Sequence, residues 1–170
     1  MLFLLFQLGK NRYALEASRV VEVVPMLALN QLPQAPKGVA GIFNYRGRPV
    51  PAVDLCELAT GSPARERLST RIVIVKHGSG NDPGRMLGLI AEKATEMLRT
   101  NPQDFVDPGV SFAAAPYLGP VLMDAEGAIQ WINEQRLLPQ AVCQSLFADS
   151  PALTADSDQT NEKNRATVTG

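Results

Sequence analysis

Histidine and cysteine are almost missing from this chain, with one and two copies among 170 residues. With no C-x-x-C pair and no Cys/His cluster, neither a zinc site nor a dithiol redox centre can be assembled. Cys56 and Cys143 lie in apolar or helical-looking stretches, which fits buried, reduced thiols in a reducing cytoplasm. Net charge is also small, −1 at neutral pH, so no whole-molecule field draws the chain to nucleic acid or to an anionic bilayer. Long apolar runs are absent too, none approaching the ~20 residues of a membrane span. The opening Met1-Leu-Phe-Leu-Leu-Phe6 is only strand-length, lacks a basic flank and meets Gln7 at once. It reads as a strand and not as a leader, and the expectation is a soluble, cytoplasmic protein.

Catalytic signatures are equally sparse. The single His77 has Lys76 and Gly78 as neighbours and stands at a strand-to-loop boundary, a strand-end histidine with no nucleophile motif pointing at it. Gly78-Ser-Gly80 leads into Asn81-Asp-Pro-Gly84, with no helix start and no following Lys-Ser/Thr pair; it is a hairpin loop, not a phosphate cradle. Asp104 and Asp107 flank Phe105 in a loop, and Asp54 has a helix to cap. No catalytic residue, metal or cofactor is expected, and the reading is of a protein that is not an enzyme.

What the chain does have is an ordinary globular balance, 45% hydrophobic and 19% charged, and a plan that occurs twice. Phe3 to Leu8, Gly9 to Arg12 and Tyr13 to Glu16 read as strand, loop and strand, followed by the valine-rich Ala17 to Val24. Ile72 to Val75, His77 to Gly84 and Met86 to Ile90 repeat that order, followed by Ala91 to Leu98. Placing Leu15 beside Leu89 aligns Arg19 with Lys93, Glu22 with Glu96 and Val24 with Leu98. A second pair agrees. Gly41 to Asp54 and Val121 to Asn133 both read as strand, tight turn and strand, with Val50 and Val53 matching Ile129 and Ile132. Asp54 and Asn133 then stand where a side-chain oxygen caps a helix start. The helices expected there are Leu55 to Ala59, stopped by Gly61, and Glu134 to Leu138, stopped by Pro139. Two lobes of about five short strands each, of the kind that close into small barrels, account for both coincidences. The expected domain is 1–147. Residues 148–170 turn to Ser, Thr, Asp, Asn and Ala, a composition expected to stay disordered.

The most individual stretch is Gly38 to Asp54. Gly47 reads as a turn position with positive φ. Pro49 and Pro51 cannot donate to a ladder, so their strand is expected at a sheet edge or at a bulge. An apolar, proline-marked edge is a protein-docking surface that does not pair with itself. Arg46, at the tip, calls for an anionic partner or water.

At these residues the sequence resembles the CheW coupling proteins of bacterial chemosensory arrays. The matching elements are Phe6-x-Leu8-Gly9, Tyr13-Ala14-Leu15, Val20-x-Glu22-Val23, Gly41-x-x-Asn44-x-Arg46-Gly47 and Pro51-x-Val53-Asp54-Leu55. A looser match continues through Leu87-Gly88-Leu89-Ile90 and Ile132 to Leu138, so that residues 2–147 are covered. The resemblance implies a mainly β fold of two intertwined five-stranded barrel lobes with a groove between them and a few short helices. It implies an adaptor with two partners, the regulatory domain of a CheA-type histidine kinase and the cytoplasmic tip of a chemoreceptor, at arrays on the inner face of the membrane. It also implies a Glu22–Arg46 pair near the groove, and apolar receptor-facing positions at Val20 and Ile72. The partner-binding set is therefore Val20, Glu22, Gly41, Asn44, Arg46, Gly47 and Ile72. Tyr45 departs from the aliphatic residue common in the family. With the loop around Pro83 and the tail, this resembles CheW-type members of alternative, surface-sensing pathways of the Wsp kind. A rival reading is a small barrel that binds oligonucleotides or another ligand through Phe43, Tyr45, Arg46 and Arg48.

Overall fold

The fold is that of a computed structural model, which describes residues 1–78 and 84–147. The tail expected to be disordered, 148–170, lies outside the described residues, as does most of the Gly- and Pro-containing loop before Gly84. Two units are distinguished, Met1–Pro139 and one beginning at Gln140. The first holds all nine strands found among the described residues. They are β1 (Leu2–Leu8), β2 (Asn11–Glu16), β3 (Val20–Pro25), β4 (Val39–Tyr45), β5 (Arg48–Asp54), β6 (Arg71–Lys76), β7 (Met86–Arg99), β8 (Leu118–Asp124) and β9 (Gly127–Ile132), with helix α1 (Leu55–Thr60) after β5. The second unit contributes helix α2 (Gln140–Phe147).

The strands pair in the order β3-β6-β7-β1-β2-β9-β8, and β5 joins β7 to β4. Long β7 therefore belongs to two halves. Its first part lies between β6 and β5, and its second part beside β1. Each half has five strands, β3, β4, β5, β6 and early β7 in one (lobe B), and β1, β2, late β7, β8 and β9 in the other (lobe A). The chain starts in lobe A, crosses to lobe B after β2, and returns within β7. The expected mainly β fold of two interleaved five-stranded lobes is thus present. No ladder among the described residues joins β3 to β4 or β7 to β8; there single bridges, Asn30 to Ile42 and Val106 to Val121, connect the segments that follow β3 and β7 to β4 and β8.

The duplication is visible in the registers. Phe3 pairs Glu16 and Leu4 pairs Leu15 in one lobe, while Ile72 pairs Ile90 and Val73 pairs Leu89 in the other. Leu5 faces Glu96 as Ile74 faces Glu22. The parallel ladders match as well, Ala14 with Trp131 and Gly88 with Ala52. Even the irregularities coincide. Asn30 bridges Ile42 as Val106 bridges Val121, and the Asp54 and Asn133 amides donate to the Gly38 and Tyr117 carbonyls at 2.7 and 2.9 Å. Crossovers fall at aligned places too, a 3-10 turn at Ala17–Arg19 and, inside β7, Lys93 with φ +49°.

Some local expectations need correcting. β5 is not simply an edge. It pairs β4 throughout and β7 from Ala52 to Asp54, leaving one side open only along 48–51. Pro49 and Pro51 sit in that open stretch, two residues apart, so their missing N–H groups fall on the same unpaired side. After β9 only a 3-10 turn forms, Glu134–Arg136, and α2 begins beyond Pro139. Its start is still capped as expected, because Asn133 Oδ1 accepts from the Gln135 N–H at 3.0 Å. α1 is capped by Asp54 and closed by Gly61 in the left-handed conformation.

Candidate functional site

The site grows from the β4–β5 hairpin of lobe B. Arg46 and Gly47 form its two-residue tip, with φ of +51° and +82°. That combination is the turn whose twist suits a hairpin. Asn44 Oδ1 accepts from the Gly47 N–H at 2.8 Å and fastens the tip. Gly41, lower on β4, is buried at a bulge with φ +149°, and a Cβ there would lie 2.5 Å from the Asn30 carbonyl oxygen. A glycine there allows the close backbone approach.

Edge strand β3 supplies the acid. Glu22 Oε2 accepts from Arg46 Nη2 at 3.2 Å. The same oxygen accepts from the Tyr45 hydroxyl, and the Arg46 guanidinium carbon stands 5.2 Å from the centre of the Tyr45 ring. The hydroxyl's bond to Glu22 raises the Tyr45 pKa above its ordinary value. The Arg46 side chain is 74% exposed and that of Glu22 39%, whereas Tyr45 retains only 8% of its surface. The expected Glu22–Arg46 pair is therefore formed, with Tyr45 as a third member. Val20 begins β3, half-buried, and the next outward residues, Val21 and Val23, are exposed.

Ile72 is not where the resemblance puts it. It is fully buried in the lobe B core with Phe43, Tyr45, Val50, Ala52, Ile74 and Ile90, so its side chain supports the site from beneath. The same core removes the rival reading's stacking platforms, because Phe43 and Tyr45 are both buried and a base needs an open ring face.

A cleft of about 540 Å³ opens where the first crossover meets the end of lobe A, lined by Glu16, Arg19, Trp131, Asn133, Glu134 and Gln135 among others. Sequence reasoning missed its central feature. Arg19 Nε donates to the buried Glu134 carboxylate at 2.5 Å, and Arg19 Nη2 and Gln135 Nε2 both donate to the Lys76 carbonyl, at 3.2 and 3.1 Å. These residues are far apart in the chain, and only the alignment of the two halves could have hinted at them.

Two acids weighed as catalytic candidates have structural roles. Asp54 accepts from the Glu57 and Ala64 amides at 3.1 and 2.9 Å, and Asp107 accepts from the Gly109 amide at 2.8 Å. His77 is strand-terminal as expected but buried, and burial lowers its pKa. The buried Cys56 thiol, pushed up to about 12 by burial and then by Glu92, donates to Glu92 at 3.7 Å. No group of three or more His, Cys, Asp or Glu side chains among the described residues could hold a metal ion. No helix among them is long and apolar enough to cross a membrane.

A family model described as the CheW-like domain matches residues 2–142. The chain belongs to the CheW-like family. Among its relatives, "Chemotaxis protein CheW" of Helicobacter pylori is 31% identical over 107 residues, covering 62% of this chain and 61% of that protein. "Protein FrzA" of Myxococcus xanthus is 28% identical over 142 residues, 82% of this chain and 86% of that one. The chain thus spans about three fifths of the first relative and most of the second. The crystal structure of scaffolding protein TtCheW from Thermoanaerobacter tengcongensis superposes with a TM-score of 0.71 at 24% identity, over 81% of this chain and 87% of that one. That likeness is one of fold. The CheW-like chain shares the scaffold's architecture while most of its side chains differ.

Proposed function

We propose that this CheW-like chain is an adaptor that couples the cytoplasmic tip of a chemoreceptor to the regulatory domain of a CheA-type histidine kinase, at arrays on the inner face of the membrane, and makes or breaks no covalent bond itself. The observation that carries the reading is the Glu22–Arg46 pair. A guanidinium exposed over three-quarters of its side chain stands at a fastened hairpin tip and is partnered by a carboxylate on the neighbouring edge strand. A charge presented so, beside the exposed valines of β3, is the composition of a docking rim. The family membership and the chemosensory names of its relatives support the same assignment.

Arg46→Glu tests it. The reversed charge faces Glu22 and any acidic partner, so receptor coupling is expected to be lost while the strand signature and unfolding midpoint are kept. A mutant that still co-purifies with receptor and leaves kinase control unchanged rejects the assignment.

A further inference from the structure

We propose that Tyr45 is a positioning residue that holds Arg46 in a presented conformation, and so sets how tightly the lobe B rim grips a carboxylate- or carbonyl-bearing partner surface. The proposal rests on Arg46 being a partner-binding group. The ring of Tyr45 is packed in the lobe B core with Phe43, Val50, Ala52 and Ile74, while its hydroxyl reaches the rim and donates to Glu22. Arg46 touches both ends of this link. Its Nη2 shares the Glu22 oxygen, and its guanidinium lies over the ring. A cation so placed over an aromatic face is attracted by the negative face of the ring quadrupole.

Without that anchor the pair has little to order it. Two exposed side chains, one from an edge strand and one from a turn, spend in lost rotamers most of what an ion pair returns. A core-fixed phenol changes this, because order in the packed ring is passed to the carboxylate and on to the guanidinium. A group already held in place surrenders less entropy when a partner arrives. Donors of the five-donor guanidinium not used on Glu22 then remain for that partner.

Two further observations show that the fold itself does not require this triad. Arg46 adopts φ +51°, a conformation that Asn, Asp or Gly takes at less cost in a hairpin of this type. Turn geometry alone therefore gives no reason for arginine. In lobe A the same register positions, paired as Asp124 with Gly127, place Asp124 where Tyr45 stands and Ala125 where Arg46 stands. That tip adopts no positive φ at a non-glycine residue.

The test has two arms on the full-length chain. Nitrogen-15 relaxation of the Arg46 side-chain Nε–H is measured in the wild type, Tyr45→Phe and Tyr45→Leu. The backbone spectrum confirms that each is folded, and Tyr45→Phe keeps the core filled should Tyr45→Leu fail to fold. Order at Arg46 is expected to fall in Tyr45→Phe and further in Tyr45→Leu, and Glu22→Gln is expected to bring tyrosinate formation at Tyr45 back toward ordinary alkalinity. Unchanged relaxation in the folded variants overturns the positioning role. In the second arm, calorimetric binding to a CheA-type regulatory domain and to the helical hairpin of a receptor tip is expected to weaken about fivefold in Tyr45→Phe, the worth of one lost hydrogen bond. Undiminished affinity also overturns the proposal. Wild-type chain that binds neither probe overturns the adaptor reading instead, and the relaxation arm still decides whether Tyr45 orders Arg46.

Discussion

At equivalent places in the two lobes stand Phe43 and Leu122, Ala52 and Trp131, Gly88 and Ala14, and Ile72 and Phe3. Lobe B places its large ring on β4, with Phe43 lying over Gly88. Lobe A fills the same space from the other strands, with Phe3 and Trp131 4.8 Å apart edge to face and Phe105 5.1 Å from each. Large and small residues have changed seats while the ladders kept their registers. A pleated backbone constrains which positions face inward, and close packing constrains their summed volume, but neither dictates which strand supplies the bulk. That is how one plan can recur with so little identity between its copies.

The sharpest way to break the equivalence is truncation at the aligned core positions. Phe3→Ala empties the centre of an aromatic cluster and is expected to cost about 3–5 kcal/mol, against about 2–5 for Ile72→Ala. Urea unfolding of both variants checks this, and a Phe3→Ala loss well below its range would show that lobe A does not lean on its aromatics. Gly88→Ala probes the exchange of seats directly. The new methyl would lie 2.4 Å from the Phe43 ring and 2.9 Å from Ile72, an overpacking expected to cost about 1–3 kcal/mol. Adding Phe43→Leu, the residue lobe A uses there, should recover most of it. Failure of the double variant to regain stability would mean that the lobes are not interchangeable in this way.

The crossovers differ as well. The first is clasped by Arg19 and Glu134, whereas the aligned Lys93 is exposed. Arg19→Met takes the guanidinium from the Glu134 carboxylate, which is 5% exposed, and leaves it the Gln135 amide at 3.1 Å. A loss of about 1–2 kcal/mol is expected, largely regained by adding Glu134→Gln. Lys93→Met should stay within about 0.5 kcal/mol. Should Arg19→Met prove as silent in urea midpoint as Lys93→Met, the clasp carries no weight at the crossover.

How legible this was depended on whether an interaction is local. The hairpins, the caps at Asp54 and Asn133 and the doubled plan follow from period-two alternation and turn chemistry within short windows. Glu22 and Arg46 were matched through motif spacing, since nothing local says that a β3 side chain meets a β5-side turn. Ile72 is not placed by sequence, because a β-branched residue in an apolar strand looks the same on either face until its partners are known. Pro51 points to an edge or a bulge, and only the staggered parallel ladder with β7 shows that one strand is edge and centre along its length. Arg19–Glu134 is not a local signal, being a contact between two polar residues in irregular turns 115 positions apart.

The hairpin tips supply the last and smallest test, because their anchors fail at opposite ends of the pH scale. In lobe A the Arg12 guanidinium donates to both oxygens of Asp124 and holds its carboxyl below the ordinary aspartate range. A depressed folded pKa stabilises the protein above the unfolded value of about 3.9, and the advantage disappears as pH falls through the lower, folded one. In lobe B the raised pKa of Tyr45 acts in the reverse sense. Its stabilisation is complete below about 10 and is lost as pH climbs through the folded value. Asp124→Asn should therefore be less stable than the wild type at neutral pH, with the two curves converging in acid. Tyr45→Phe should show its deficit at neutral pH and converge with the wild type in alkali. Urea midpoints across the pH range decide it, and curves that stay parallel for either pair would mean that the tip's hydrogen bond is not what ties that hairpin down.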